Sequence, residues 1–305
     1  MRHLKYILII FLGFLFSNSL TIPDFGRSIT KIDKSDDTNE KVTILVKWFL
    51  PEILKEISGI CWIDEQRIAC VQDELGIIFI YNILNAEIES RIPFGDPGDY
   101  ESITRSDNTF YILRADGRIF EVRISSSKKS PVQQYDIPFD KNLDFEGIFY
   151  DKIKKQLLFT FKESDPFTSS NKRGIYNFDP VKKVAGKKPV YEIDLSSSVF
   201  YKKDDNDDKG KDLYKNFLPS DIAINPINSD VYIIDGVNSS LLIMDKSGKL
   251  KSFFKLDKDD FPQPEGITFS STGDLFLSTE GVKHNSIIAR VNIETVIKTN
   301  KKKKD

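Results

Sequence analysis

The chain has 305 residues, 40% of them hydrophobic, with 23 Phe and 11 Tyr, enough for one large β-rich core or two ordinary domains. Acid and base nearly balance at a net charge of -2, so no basic field points to nucleic acid. A His-built zinc site or a Ser-His-Asp triad would rest on His284 alone, because the other His, His3, lies in the first few residues; that speaks against both.

Arg2, His3 and Lys5 precede a continuous apolar run from Tyr6 to Phe16, which ends at Ser17-Asn18-Ser19. A charged start, a short apolar stretch and small residues make a secretory signal over residues 1–19. The run is shorter than a standard membrane span, and no Cys at its end offers a lipid attachment point. Retained uncleaved, the segment becomes an N-terminal anchor, the one route by which this chain meets a membrane. Either outcome places the body outside the cytoplasm, as a periplasmic, cell-surface or secreted protein. Residues 20–41 are polar and without periodicity and read as a linker. Residues 42–295 read as a single domain, and the Lys-rich 296–305 as a solvated tail.

Val42 to Leu50 is rich in β-branched and aromatic residues and opens the β-structure. A repeat follows. Glu56-Ile57-Ser58-Gly59-Ile60 leads into a β-run, a polar turn and further β-runs. The same pattern recurs from Tyr100-Glu101-Ser102-Ile103, Phe145-Glu146-Gly147-Ile148, Ser220-Asp221-Ile222 and Gln263-Pro264-Glu265-Gly266-Ile267. The acidic starts lie 45, 45, 75 and 44 residues apart. Units of this size with four short strands joined by tight turns predict the blades of an all-β propeller. The long interval holds a polar excursion, residues 196–216, and fits one blade plus a loop, so five blades are expected, with six as the alternative count. The last unit lacks a strand that Val42 to Leu50 can supply, which would close the ring and remove open sheet edges.

In the first unit, a turn at Glu65-Gln66 places Ile63 opposite Ile68 and Cys61 opposite Cys70. In an exported protein that pair reads either as a cross-strand disulfide or as two buried thiols.

The first strand of a propeller blade lines the central channel. The repeat therefore predicts that Glu101, Glu146, Asp221 and Glu265 converge at one end of the channel, with Glu56 as the nearest equivalent in the first blade. Converging carboxylates repel and raise one another's pKa unless a cation or protons intervene. A hard divalent ion, Ca²⁺, takes six to eight oxygen ligands at flexible geometry and suits such a set. The competing reading is structural: an acid at a strand start hydrogen-bonds a neighbouring blade and locks the two together. A second acidic set is expected at the end of the second strands, Asp73, Glu163, Asp235 and Glu280, with Arg114 at the corresponding place in the second blade. Arg114 would pair with nearby carboxylates or hold an anionic ligand. Asp204-Asp205-Asn206-Asp207-Asp208 has its Gly one position late for a calcium loop, and Lys215 stands where a bidentate Glu is needed, so it reads as an acidic loop. No Gly-rich phosphate loop is present in the sequence.

Taken in order, Glu56-Ile57-Ser58-Gly59-Ile60, Val71-Gln72-Asp73-Glu74-Leu75-Gly76, Asp99-Tyr100-Glu101-Ser102-Ile103, Phe145-Glu146-Gly147, Pro219-Ser220-Asp221-Ile222-Ala223-Ile224 and Gln263-Pro264-Glu265-Gly266-Ile267 resemble the SdiA-regulated protein family. The resemblance covers roughly residues 45 to 292. Esterase-like phytase domains and NHL propellers share the Glu-Gly strand starts. The resemblance implies an exported β-propeller that binds calcium, with no established reaction. The acidic excursion at Asp204 to Asp208 and the Arg at position 114 depart from a uniform ring of ligands. The expected function is a module that binds an unidentified small molecule or protein at its acidic channel face. The alternatives are a calcium-dependent hydrolase of the phosphoesterase or lactonase kind and a metal-free interaction scaffold.

Overall fold

The computed structural model describes residues 38–124, 131–139, 143–163, 165–200, 217–281 and 285–297. The expected signal, the Asp204 to Asp208 run, His284 and the tail from 298 lie outside the described residues. Among the described residues no helix is long and apolar enough to cross a membrane.

Strand β1 (Thr38–Phe49) opens the described chain, ahead of the expected Val42. The first blade is β2 (Ile57–Asp64), β3 (Arg67–Gln72), β4 (Ile77–Asn82) and β5 (Glu87–Pro93). The second is β6 (Tyr100–Ser106), β7 (Thr109–Arg114), β8 (Arg118–Arg123) and β9 (Val132–Asp136). The third is β10 (Phe145–Asp151), β11 (Gln156–Phe161) and β12 (Lys172–Asp179), with its outer strand split into β13 (Val184–Ala185) and β14 (Tyr191–Asp194), both paired to β12. The fourth is β15 (Asp221–Ile224), β16 (Val231–Asp235), β17 (Ser240–Met244) and β18 (Leu250–Lys255). The fifth is β19 (Pro264–Phe269), β20 (Leu275–Thr279) and β21 (Ile287–Ile297), completed on its outer edge by β1. The expected closure by N-terminal chain is thus found, and the sheets number five.

Burial follows position in the blade. The middle strands β16 and β17 are buried along their whole length, and apart from Asp235 and Ser240 at the ends that pair with each other they are apolar throughout. The outer strands β5 and β9 are largely exposed and carry their charges outward. A separate apolar core fills each interface between blades, from the first–second pair (Cys61, Ile78, Ile103, Phe120) round to the fifth–first pair (Leu54, Ile60, Phe79, Phe276).

The hairpin of β2 and β3 corrects the expected cysteine register. A bulge between Trp62 and Asp64 slips the pairing by one, so Trp62 faces Ile68, Cys61 faces Ala69 and Cys70 faces Ile60. A slip of one residue turns a side chain to the other face of the sheet. Cys61 therefore joins the core towards the second blade and Cys70 the core towards the fifth. Both are free thiols, and burial pushes the Cys61 thiol up to about 12 and that of Cys70 higher still, which favours the protonated form of each.

The inner strands β2, β6, β10, β15 and β19 contact one another in that order, and β19 returns to β2. Side chains stitch them together. Ser58 Oγ donates to the Tyr100 carbonyl at 2.5 Å, the Ile148 amide donates to Ser102 Oγ at 3.2 Å, and the Trp62 amide donates to Thr268 Oγ1 at 3.0 Å. Asp221 reaches furthest. Its Oδ1 accepts from Ser102 Oγ at 2.7 Å and its Oδ2 from the Ile267 amide at 3.0 Å. Because β6 and β15 are separated by β10 in the ring, the first of these bonds crosses the channel. Burial pushes the Asp221 carboxyl up to about 8, against the pull of Ser102 and of the Ile267, Ile222 and Ile148 amides.

Counted back from Ile60, Ile103, Ile148, Ile222 and Ile267, the residue before each isoleucine is Gly59, Ser102, Gly147, Asp221 and Gly266. A Cβ on Gly147 would sit 2.8 Å from Asp221 Cα, and one on Gly266 2.9 Å from the Ile60 amide nitrogen. Small residues at this level let the strands close around one carboxylate.

Gly147→Ala is expected to destabilise the fold by about 1–3 kcal/mol, since the clash is with backbone that cannot rotate away. Asp221→Asn keeps the volume but turns an amide donor towards a donor, at a cost of about 1–3 kcal/mol. Denaturant midpoints of the two variants against the parent chain check both.

Candidate functional site

The N-terminal ends of the inner strands carry the acids. In four blades the residue two before the repeated isoleucine is skipped by the strand pairing, and a bulge sits there: between Ile57 and Gly59, Tyr100 and Ser102, Phe145 and Ile148, and Pro264 and Gly266. Bulges re-aim the residue they extrude. The extruded residues are Ser58, Glu101, Glu146 and Glu265. The fourth blade has no bulge and carries Ser220 at this place.

Asp221 therefore departs from the expected set. It stands one residue further along, level with Gly147 and Gly266, and its oxygens are taken up by the cross-channel bonds described above. Its role is the blade lock that the repeat offered as the competing reading.

Glu101 and Glu146 do come together, and they bring a third acid, Asp144. A carboxylate oxygen of each lies within 4.8 Å of the others. Asp144 occupies in Asp144-Phe145-Glu146 the place that Asp99 holds in Asp99-Tyr100-Glu101, and that doubling of acids is the signal that could have found it. Burial, then Glu146, then Asp99 push the Glu101 carboxyl up to about 10. Burial raises Glu146 to about 7, with Lys162 pulling the other way. Glu265 is raised to about 8 by burial and by Glu146 and Glu280, while the Ser220 hydroxyl bonded to it draws it down.

Lys162, which the repeat does not single out, also stands in the cluster. Its Nζ lies 2.5 Å from Glu146 Oε1. Burial lowers its pKa, but the ion pair with Glu146 and the charges of Glu101 and Asp144 outweigh burial and hold it above the ordinary lysine value. The pairings Ile57–Gln72, Phe145–Phe161 and Pro264–Thr279 put Asp73, Lys162 and Glu280 at one position, each just past the end of its second strand. A lysine thus replaces an acid in the third blade, and Glu163 falls one residue beyond the position expected for it, exposed.

The rest of the second set separates. Burial, then the charges of Glu56, Glu74 and Asp99, raise Asp73 to about 6. Burial, Asp73 and Glu56 raise Glu280 to about 6, and Gln263 Nε2 donates to its carboxylate at 3.1 Å. Glu56 itself is exposed at the rim. Asp235 leaves the set: it is fully buried and accepts from the Leu218 amide at 2.9 Å, the Asn238 amide at 2.8 Å and Asn238 Nδ2 at 2.8 Å, so its oxygens shape a turn. Arg114 pairs with Asp116 of its own turn at 2.6 Å, and lines a hollow shared with Asp99 and Asp144.

The mouth is therefore an all-oxygen cluster with one lysine built into it. The donor set suits a hard cation, because among the described residues no imidazole or thiolate takes part. Lys162 offsets part of the repulsion when no such cation is bound.

Among curated proteins none matches the chain in sequence. Many solved structures share its architecture, two of them as follows. A glutaminyl cyclase of Myxococcus xanthus superposes with a TM-score of 0.56 at 10% identity, over 85% of this chain and 99% of that one. A PQQ-bound aldose sugar dehydrogenase of Streptomyces coelicolor superposes with a TM-score of 0.52 at 12% identity, over 84% of this chain and 99% of that one. At such identities the likeness is one of fold alone. A family model matches residues 37–283, from the closing strand to the fifth blade, and by that match the chain belongs to the SdiA-regulated family.

Proposed function

We propose that the chain is an exported binding module whose acidic channel mouth holds Ca²⁺ and, through it, a small molecule or protein partner. The observation that carries this reading is the approach of Glu101, Asp144 and Glu146 to within 4.8 Å of one another. Three carboxylates at that spacing are costly unless something positive stands among them. Ca²⁺ accepts several carboxylate oxygens at flexible geometry, and Mg²⁺ demands a stricter octahedron. Glu101, Asp144 and Glu146 would hold the ion; Lys162 would then lose Glu146 as its partner, and its ammonium would be available to an anionic group of the ligand. An export signal fits this reading, because calcium outside the cell is abundant and a weak site fills there.

Isothermal titration of the purified chain with CaCl₂ is expected to give a dissociation constant of about 10⁻⁴–10⁻³ M, the range of extracellular modules. Glu101→Gln and Asp144→Asn are each expected to weaken it about tenfold or more. An absence of heat and of any thermal shift up to tens of millimolar would sink the proposal. Turnover of phosphate esters or lactones that is abolished by chelator would move the reading to a hydrolase.

The raised carboxyls also set a pH dependence. Groups such as Glu146 and Glu265 keep their protons in the folded state to about 7 and about 8, while the unfolded chain loses them near 4.5. Between those values the folded state binds more protons, so stability of the calcium-free chain falls as pH rises. Melting temperatures between about pH 5 and 8 should decline without calcium, and the rise in melting temperature on adding calcium should grow with pH. A calcium-free melting temperature that climbs across this range contradicts the assignment.

A further inference from the structure

The other end of the channel is built differently. Beyond the level of Asp221 the inner strands run on to a cavity of about 540 Å³. Its inner end meets one isoleucine from each blade: Ile60, Ile103, Ile148, Ile222 and Ile267. All five are at most 3% exposed. From Ile60 to Asp64 the wall rises about 13 Å at the usual strand spacing. The volume lies within the 300–1,000 Å³ or so of small-molecule sites, and the lining mixes an apolar and aromatic inner part with polar and charged residues such as Arg105, Asp151 and Lys152.

The aromatic walls are fixed from behind. Tyr150 stacks on Tyr111 with centroids 5.7 Å apart and planes at 6°. Trp62 packs on Phe276 at 5.3 Å, and Phe269 meets Tyr232 edge-on at 4.9 Å. A ligand entering here meets a surface that needs little rearrangement.

The charges around this cavity are unevenly committed. Asp64 is held by Arg67, which donates from Nε at 3.0 Å and from Nη2 at 2.5 Å. Asp151 is buried and caps its own turn, accepting from the Ile153 and Lys154 amides at 3.0 and 3.1 Å. Glu65 and Lys152 stand exposed at the rim. Arg105, half-buried on β6, lines the cavity, and among the described residues its guanidinium has neither ion pair nor hydrogen bond. The Arg105 guanidinium stays open to solvent within the cavity and is available to an anionic ligand.

We propose that this cavity binds a small aromatic carboxylate, its ring packed between Trp62 and Phe149 and its carboxylate paired with Arg105. The guanidinium fork matches a carboxylate in two parallel hydrogen bonds, and the aromatic walls supply the apolar contact. This site does not rest on the calcium reading. The buried level of Asp221, Gly147 and Gly266 separates it from the acidic mouth.

Calorimetry with the full chain tests it, using 2-naphthoate, the neutral 2-naphthylmethanol and the cationic 2-naphthylmethylammonium. Naphthoate is expected to bind at least about tenfold more tightly than the alcohol, and the ammonium weakest, the gap expected of a charge-assisted pair. Arg105→Gln should weaken naphthoate about tenfold while leaving the alcohol within about twofold. Ser271→Trp, an exposed position on the lip, should abolish binding of both without lowering the melting temperature. Chelator and Glu101→Gln should leave naphthoate binding unchanged. Equal affinities for naphthoate and alcohol, indifference to Arg105→Gln, indifference to Ser271→Trp, or no binding of any of the three compounds would each overturn the proposal.

Discussion

The close approach of five inner strands around one buried carboxylate is the constraint on which the rest of this structure depends. A ring of five sheets leaves little room on its axis. At the tightest level the chain answers with two kinds of residue. Gly59, Gly147 and Gly266 have no Cβ to obstruct a neighbour's backbone, and Ser102 and Asp221 fill the remaining space with atoms that hydrogen-bond. The bond from Ser102 to Asp221 crosses from the second blade to the fourth. Together with the amide of Ile267 it ties three blades through a single side chain. A buried carboxylate is stabilised only when donors surround it, and here the partners are a hydroxyl and backbone amides that the adjacent inner strands present to the axis.

That constraint accounts for what could and could not be read from the sequence. The period of the acidic starts and the four apolar runs per unit were enough to give the propeller, its blade count and the closure by the N-terminal strand. These are properties of strands and turns, which local pattern encodes well. Three departures are of a single residue: Cys61 does not face Cys70, Asp221 does not align with Glu101, Glu146 and Glu265, and Lys162 rather than Glu163 stands beside the acids. Each arises at a bulge or at a blade that lacks one. The extra residue between Trp62 and Asp64 moves the cysteines to opposite faces, and the unbulged start of β15 moves Asp221 onto the axis. Periodicity cannot report a bulge, because a bulge is a local departure from the period.

The acidic mouth shows how the same repeat can serve two ends. At the extruded position the blades offer Glu101 and Glu146, whose carboxylates approach each other, and Glu265, whose carboxyl feels the charge of Glu146. One residue further on, an acid would be sealed inside the ring. The fourth blade puts its acid at the inner position and a serine at the outer one, and Ser220 then donates towards Glu265. One blade thus gives up a place in the acidic cluster and supplies the lock that holds the cluster's scaffold together. The sequence pattern carries both outcomes in the same short phrase, and only the register separates them.

Lys162 bears on what the mouth can do. Were it an acid like its equivalents Asp73 and Glu280, Glu146 would face only negative neighbours in the calcium-free chain. As a lysine paired to Glu146 at 2.5 Å, it keeps the cluster compact and partly ionised. On the proposed calcium reading the arrangement would cost affinity, because an incoming cation would have to displace an ammonium already in place. The site would then be weak and exchangeable, in the range of extracellular modules, which is why the reading is tied to a place where calcium is plentiful.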